Sequence, residues 1–280
     1  MREINSGSIR DKIAQMVVEA NITVDKSITD SFEKNLIAET NPLAKEILVQ
    51  LIENYKVARE ENLPICQDTG CVAVFVEMGQ DAHITGGNIG DMINEGVRIG
   101  YRDGYLRKSM VSDPLMRQNT GDNTPAIIHY EIVPGDKLKI TVMPKGAGCE
   151  NMCRIAMLKP TQGIDAVKKF VLDTVFEAGP NPCPPLFIGV GIGGSFEKSA
   201  YLAKKALILP FYEHSPLPHI AQLEDDLLKS INELDIGPQG MGGKTTALGI
   251  RVLTYPTHIA SLPVAVNISC HALRFQTAEF

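Results

Sequence analysis

The chain has 280 residues, 44% of them hydrophobic, with 27 Lys and Arg against 33 Asp and Glu and a net charge of −6. That length suits one large domain or two small ones with a sizeable core, and the absence of a basic stripe argues against nucleic acid as the main partner. No apolar run reaches membrane-spanning length, and Met1-Arg2-Glu3-Ile4-Asn5 lacks the apolar core of a secretory leader, so a cytoplasmic protein off the membrane is expected.

Residues 1–60 read as helical. Ser8 is placed to cap a helix to about Ala20, with Ile9, Ile13, Met16 and Val17 on one face. Thr29 or Ser27 opens a second, to about Glu39. Asn41-Pro42 opens a third, since proline at the first helical position loses no useful donor. Its apolar stripe is Leu43, Ile47, Leu48, Leu51, Ile52 and Tyr55.

Pro64-Ile65-Cys66-Gln67-Asp68-Thr69-Gly70 then places a thiol, an amide, a carboxylate and a hydroxyl side by side at the mouth of a strand near 72–78. Loops so placed commonly carry chemistry; a surface turn with one incidental cysteine is the other reading. Gly86-Gly87-Asn88 is a loop and Ile89–Tyr101 a helix. Residues 105–125 are polar and irregular. Ala126–Val133 and Lys137–Met143 read as strands joined around Pro134-Gly135-Asp136, a hairpin signal.

The second of these strands runs into Pro144-Lys145-Gly146-Ala147-Gly148-Cys149, a glycine loop opening a helix. It is either a receiver for an anion on free N–H groups or a plain tight turn. A helix follows over Ile164–Glu177. In Asn181-Pro182-Cys183-Pro184-Pro185 the prolines predict an extended, stiff backbone about the cysteine. Leu186–Val190 is a strand, Ser195–Leu209 and Pro218–Leu234 are helices, and Thr246–Thr254 and Pro263–Ile268 are strands. The expected class is mixed α/β: a helical N-terminal segment, then mixed sheet flanked by helices. With no repeat or linker, residues 1–280 are expected to form a single domain.

Two glycine motifs invite a nucleotide. Gly189-Val190-Gly191-Ile192-Gly193-Gly194 fits the dinucleotide pattern between a strand and a helix, with Glu213 about where a ribose-binding acid would stand. Pro210-Phe211-Tyr212-Glu213-His214-Ser215-Pro216 provides no second strand, so close helix–strand packing is the competing use of those glycines. Gly240–Thr246 carries a lysine, but a P-loop needs glycine six positions before it and has Pro238; a mobile surface loop is expected, though such a loop can bind a carboxylate.

The six cysteines stand at 66, 71, 149, 153, 183 and 270. In a cytosolic chain they are not expected to form a disulfide framework. No CxxC pair or compact ferredoxin spacing occurs, so any metal site would draw on distant segments.

Five stretches together resemble the alpha subunit of class I, iron–sulfur-dependent fumarate hydratases and the related L(+)-tartrate dehydratases. They are Pro64–Gly70, Asn119-Thr120-Gly121-Asp122-Asn123-Thr124-Pro125, Pro144–Met152, Gly189–Glu197 and Ser269-Cys270-His271-Ala272. The resemblance implies a [4Fe–4S] cluster held by Cys66, Cys183 and Cys270, with one iron not bound by protein. It implies that Gln67, Asp68, Arg107 and Gly146 contact substrate, that Asp68 and His258 act in catalysis, and that His271 is a lesser candidate. Cys71, Cys149 and Cys153 are then spare; Cys149 departs from the family, which carries serine there. The implied reaction is reversible hydration of fumarate to (S)-malate, with tartrate dehydration as the sister activity and a dinucleotide-binding oxidoreductase domain as the alternative from another class. The family completes its pocket with a second domain or a beta subunit, so an (alpha–beta)2 assembly acting on a small dicarboxylate is expected.

Overall fold

The computed structural model describes residues 2–280. In chain order the elements begin with β1 (Arg2–Asn5), α1 (Ser6–Ile22), α2 (Lys26–Ala38), α3 (Pro42–Glu61), β2 (Cys71–Gly79), β3 (Ala82–Thr85) and α4 (Ile89–Asp103). Then follow β4 (Ile127–Val133), β5 (Leu138–Lys145), the short α5 (Ala147–Glu150), β6 (Arg154–Leu158) and α6 (Gly163–Ala178). The chain closes with β7 (Leu186–Gly193), α7 (Phe196–Ala206), α8 (Pro218–Asn232), β8 (Ala247–Tyr255), β9 (Leu262–Ser269) and β10 (Gln276–Glu279). This is the mixed α/β class expected. Among the described residues, no helix is long and apolar enough to cross a membrane.

The chain divides into two compact units. The first takes in the chain up to Val24, Tyr55–Ala147 and Arg274–Phe280; the second takes in Asp25–Asn54 and Gly148–Leu273.

In the first unit a four-stranded sheet runs β10-β5-β2-β4, and β1 pairs in parallel with β3. Val72, Val74 and Val76 of β2 and Ile140 and Val142 of β5 form one buried cluster with Ile9, Ile13, Met16 and Val17 of α1 and Ile93 and Val97 of α4. The α1 face is the one its spacing predicted. Its cap is Asn5 rather than Ser8: the Asn5 side chain accepts the Gly7 N–H at 2.8 Å. Helices α1 and α4 approach closely because α4 presents glycine. A Cβ on Gly100 would come within 2.6 Å of the Ala14 carbonyl, and one on Gly96 within 2.6 Å of the Arg10 carbonyl.

The expected hairpin does not form. β4 pairs in parallel with β2 on one side and β5 antiparallel with β2 on the other, so β2 lies between them. The Pro134–Asp136 connection crosses the end of β2 and is held there by backbone bonds to it: Gly79 N to Lys137 O, Gln80 N to Val133 O and Asp81 N to Gly135 O.

In the second unit the sheet order is β6-β9-β7-β8, with β7 parallel to β8 and antiparallel to β9. Strand β7 is buried on both faces, which suits a strand between two layers. Ile188 and Val190 join a core with Val171 and Val175 of α6 and Leu223 and Leu227 of α8. Gly189 and Gly191 face α7. A Cβ on either would stand 2.0 Å from a backbone carbonyl, of Ala203 or Ser199 respectively. These glycines therefore admit a helix against the strand, the competing reading of the dinucleotide-like motif.

The Gly240–Thr246 loop is tied down rather than loose. Glu39, 1% exposed after α2, accepts the Thr40 and Asn41 N–H groups at 2.9 and 3.0 Å and the Thr245 N–H and hydroxyl at 3.1 and 2.9 Å. The loop does hold a carboxylate, but one supplied by the chain itself. Burial opposes the charge on Glu39; the N–H groups of Asn41 and Thr40 and the Thr245 hydroxyl outweigh it and hold the carboxyl below its ordinary value.

Candidate active site

The turn bearing Cys66 is fixed at its far end. Gly70 has φ +72, and a Cβ there would come within 2.5 Å of the Lys145 backbone, so both conformation and space require glycine. Tyr101, fully buried on α4, donates its hydroxyl to the Thr69 carbonyl at 2.6 Å and lies 3.1 Å from that of Gly70. Burial pushes that hydroxyl up in pKa, so it remains a donor.

Two further bonds bring the polar segment after α4 to the turn. The Thr69 hydroxyl donates to the Arg107 carbonyl at 2.8 Å. Asn123, wholly buried at φ +64, donates Nδ2 to the Gly70 carbonyl at 3.1 Å, and its Oδ1 accepts the N–H groups of Ser109 and Met110 at 2.7 and 3.2 Å. Positive φ at a non-glycine residue carries strain and persists where surroundings over-determine it, as they do here.

Asp68 joins the glycine loop to the turn. Its Oδ1 accepts the Gly70 N–H at 3.0 Å and its Oδ2 the Ala147 N–H at 2.8 Å. Gly146 packs beneath it, its would-be Cβ 3.1 Å from Oδ2. The Asp68 carbonyl accepts from Arg274 Nη2. The structure thus brings Asp68, Gly146 and the Arg107 backbone together around Thr69, while the Gln67 and Arg107 side chains are exposed.

In the second unit, Cys183 adopts φ +55, a left-handed turn rather than the extended backbone expected. Proline disfavours the right-handed helical region at the residue before it, and the extended region is the usual outcome. Here Cys183 N–H closes onto the Pro180 carbonyl at 3.0 Å instead. Its own carbonyl accepts the His271 N–H at 3.3 Å, which seats the residue after Cys270 against Cys183.

His258 is not brought to this place. It stands in the exposed loop before β9, its Nδ1 accepting the Ala260 N–H at 3.1 Å. The eight residues of β9 separate it from Cys270, about 25 Å of extended chain. It instead borders an apolar hollow of about 390 Å³ with Ile164, Ile192 and Ile259.

Among the described residues no disulfide joins any of the six cysteines. Cys149 is 3% exposed within the apolar core beside α6. Cys153 Sγ accepts the Ile268 N–H at 3.2 Å and lies 3.4 Å from the Cys149 carbonyl. Cys149 is thus built into the interior, and Cys153 is half-buried against the same core. Cys66 and Cys270 are half-buried and Cys183 is exposed. Among the described residues no three His, Cys, Asp or Glu side chains are grouped for a single metal ion. An iron–sulfur cluster is wider than an ion and takes thiolates alone. Cys183 and Cys270 are thiols of that chemistry on touching segments of the second unit, and Cys66 is a thiol of the same kind on the turn of the first.

Sequence reasoning missed Tyr101, Asn123 and Arg274. Asn123 sits in a motif singled out for resemblance, so its place was marked though its role was not. Arg274, 3% exposed, carries no motif.

A model of the family described as fumarate hydratase (Fumerase) matches residues 10–279. The "Putative L(+)-tartrate dehydratase subunit alpha" of Methanocaldococcus jannaschii is 39% identical over 272 residues, covering 95% of both chains. The L(+)-tartrate dehydratase subunit alpha of Escherichia coli strain K12 is 31% identical over 284 residues, covering 98% of this chain and 92% of that one. With the match spanning nearly the whole sequence, the chain belongs to the fumarate hydratase family and is a hydro-lyase.

Proposed function

We propose that the chain is the alpha subunit of an iron–sulfur hydro-lyase that, with a beta subunit, interconverts fumarate and (S)-malate. The observation that carries this reading is the bond from His271 N–H to the Cys183 carbonyl, 3.3 Å, because it sets the segments of two thiol ligands side by side. Cys66 is the third ligand, and all three bind as thiolates. When bound, the [4Fe–4S] cluster supplies Lewis acidity at the iron that no cysteine holds.

The remaining residues bind and orient. Arg107 offers a planar fork to a substrate carboxylate, its backbone anchored by Thr69. Gln67, exposed beside Cys66, presents an amide to the substrate's oxygens. Asp68 receives or returns a proton at its carboxylate, which Gly70 and Ala147 hold in one orientation. Gly146 lets the glycine loop approach that carboxylate. His258, for which the resemblance implies a catalytic role, stands at the other end of β9 from Cys270. The relatives are named alpha subunits, which supports a partner chain and, in this proposal, an (alpha–beta)2 assembly in the cytoplasm. One family match over residues 10–279 supports reading the chain as a single family domain.

A second reading, dehydration of L(+)-tartrate to oxaloacetate, is favoured by the names of those relatives. Co-expression with the beta chain, anaerobic purification and assay of both acids decides between them. Hydration of fumarate is expected. Turnover of tartrate alone would transfer the assignment to the second reading, and turnover of neither by iron-loaded enzyme would overturn both.

A further inference from the structure

Arg274 carries a buried charge that the protein alone does not balance. The residue is 3% exposed, and its Nη2 donates to the Asp68 carbonyl. Its Nε and Nη1 are buried without a hydrogen-bond partner. Among the described residues it belongs to no ion pair. A buried cation without compensation is strongly unfavourable, and each unmade hydrogen bond adds to that cost. A structural arginine would ordinarily be satisfied in place, as Arg98 is by Asp122 and Glu95.

The backbone of Lys145 lies against Gly70 of the same turn, and the Arg107 carbonyl accepts from the Thr69 hydroxyl. The one carboxylate of the turn, Asp68, is occupied by two backbone N–H groups.

We propose that Arg274 is the buried counter-charge, and the positioning residue, for an anionic group bound at the Cys66–Gly70 turn: the thiolate-ligated cluster of the reading above. This inference rests on that reading. Arg274 would act through the turn, holding the Asp68 carbonyl while its field offsets the negative charge gathered at the Cys66 thiolate. Its cost in the empty protein would become a gain in the loaded one.

The test follows from that reversal of sign. The full chain with its beta partner is prepared anaerobically as wild type, Arg274→Met and Arg274→Lys, each both stripped of iron and loaded with iron and sulfide. Melting temperature is measured for both forms, and the rate of iron loss to a chelator for the loaded form. In stripped protein Arg274→Met should melt at or above wild type, because an uncompensated charge has gone. In loaded protein it should melt below wild type and lose iron faster, by about tenfold or more, with Arg274→Lys recovering part of the loss. If Arg274→Met lowers the melting temperature equally with and without iron, or fails to fold in either form, Arg274 is merely structural and the proposal is overturned. If Arg274→Met folds and keeps iron as wild type does, the counter-charge role is overturned while the cluster stands. If wild type itself takes up no iron, the cluster reading fails and takes this one with it.

Discussion

Asp122 accepts from Arg98 Nε at 2.8 Å and from the Thr124 N–H and hydroxyl at 3.0 and 2.8 Å. Burial alone would raise its pKa; these donors overcome that and bring it from 3.8 to about 2. A depressed carboxylate contributes stability that is complete above its unfolded value and lost as the pH falls through the folded one. Asp122 should therefore destabilise the fold between about pH 4 and pH 2, with Glu39, also lowered, acting in the same direction. Asp122→Asn is expected to cost about 1–2 kcal/mol at neutral pH and to flatten the acid limb of the stability curve. Urea unfolding from pH 7 to pH 2 checks both; an unchanged acid limb would show that another group governs it. The site depends on this residue indirectly, because the neighbouring Asn123 holds Gly70, Ser109 and Met110 together.

At the level of elements, local signals fared better than pairings. The α1 face was readable because Ile9, Ile13, Met16 and Val17 follow the helix's own period. The β4–β5 hairpin was misread because a turn signal between two apolar runs says nothing of a third strand arriving between them. Cys66, Cys183 and Cys270 were legible as candidates only through a resemblance spread along the chain. Arg274 was not, since nothing in a sequence marks a buried cation whose partner is another segment's carbonyl. The β7 glycines allow a direct test. Gly191→Ala sets a Cβ against the Ser199 carbonyl, and should cost about 1–3 kcal/mol by overpacking. A shift of the urea midpoint at unchanged slope measures it, and a neutral outcome would mean that α7 can withdraw freely. NAD should bind neither form, since those glycines accommodate a helix; saturable binding by equilibrium dialysis would restore the dinucleotide reading.

For the molecule as a whole, one family match spans residues 10–279 and so runs through both units. The proposed cluster takes Cys66, Cys183 and Cys270 as its ligands, which makes the cysteines the sharpest probe of the complete protein. Iron and acid-labile sulfide should be measured in anaerobically purified wild type and in the Cys66→Ser, Cys183→Ser, Cys270→Ser and Cys149→Ser variants, each checked for folding by circular dichroism. Wild type and Cys149→Ser should hold about four of each per chain, while each of the other three variants folds but loses the cluster. A folded Cys183→Ser protein with full iron, sulfide and turnover would contradict the central claim.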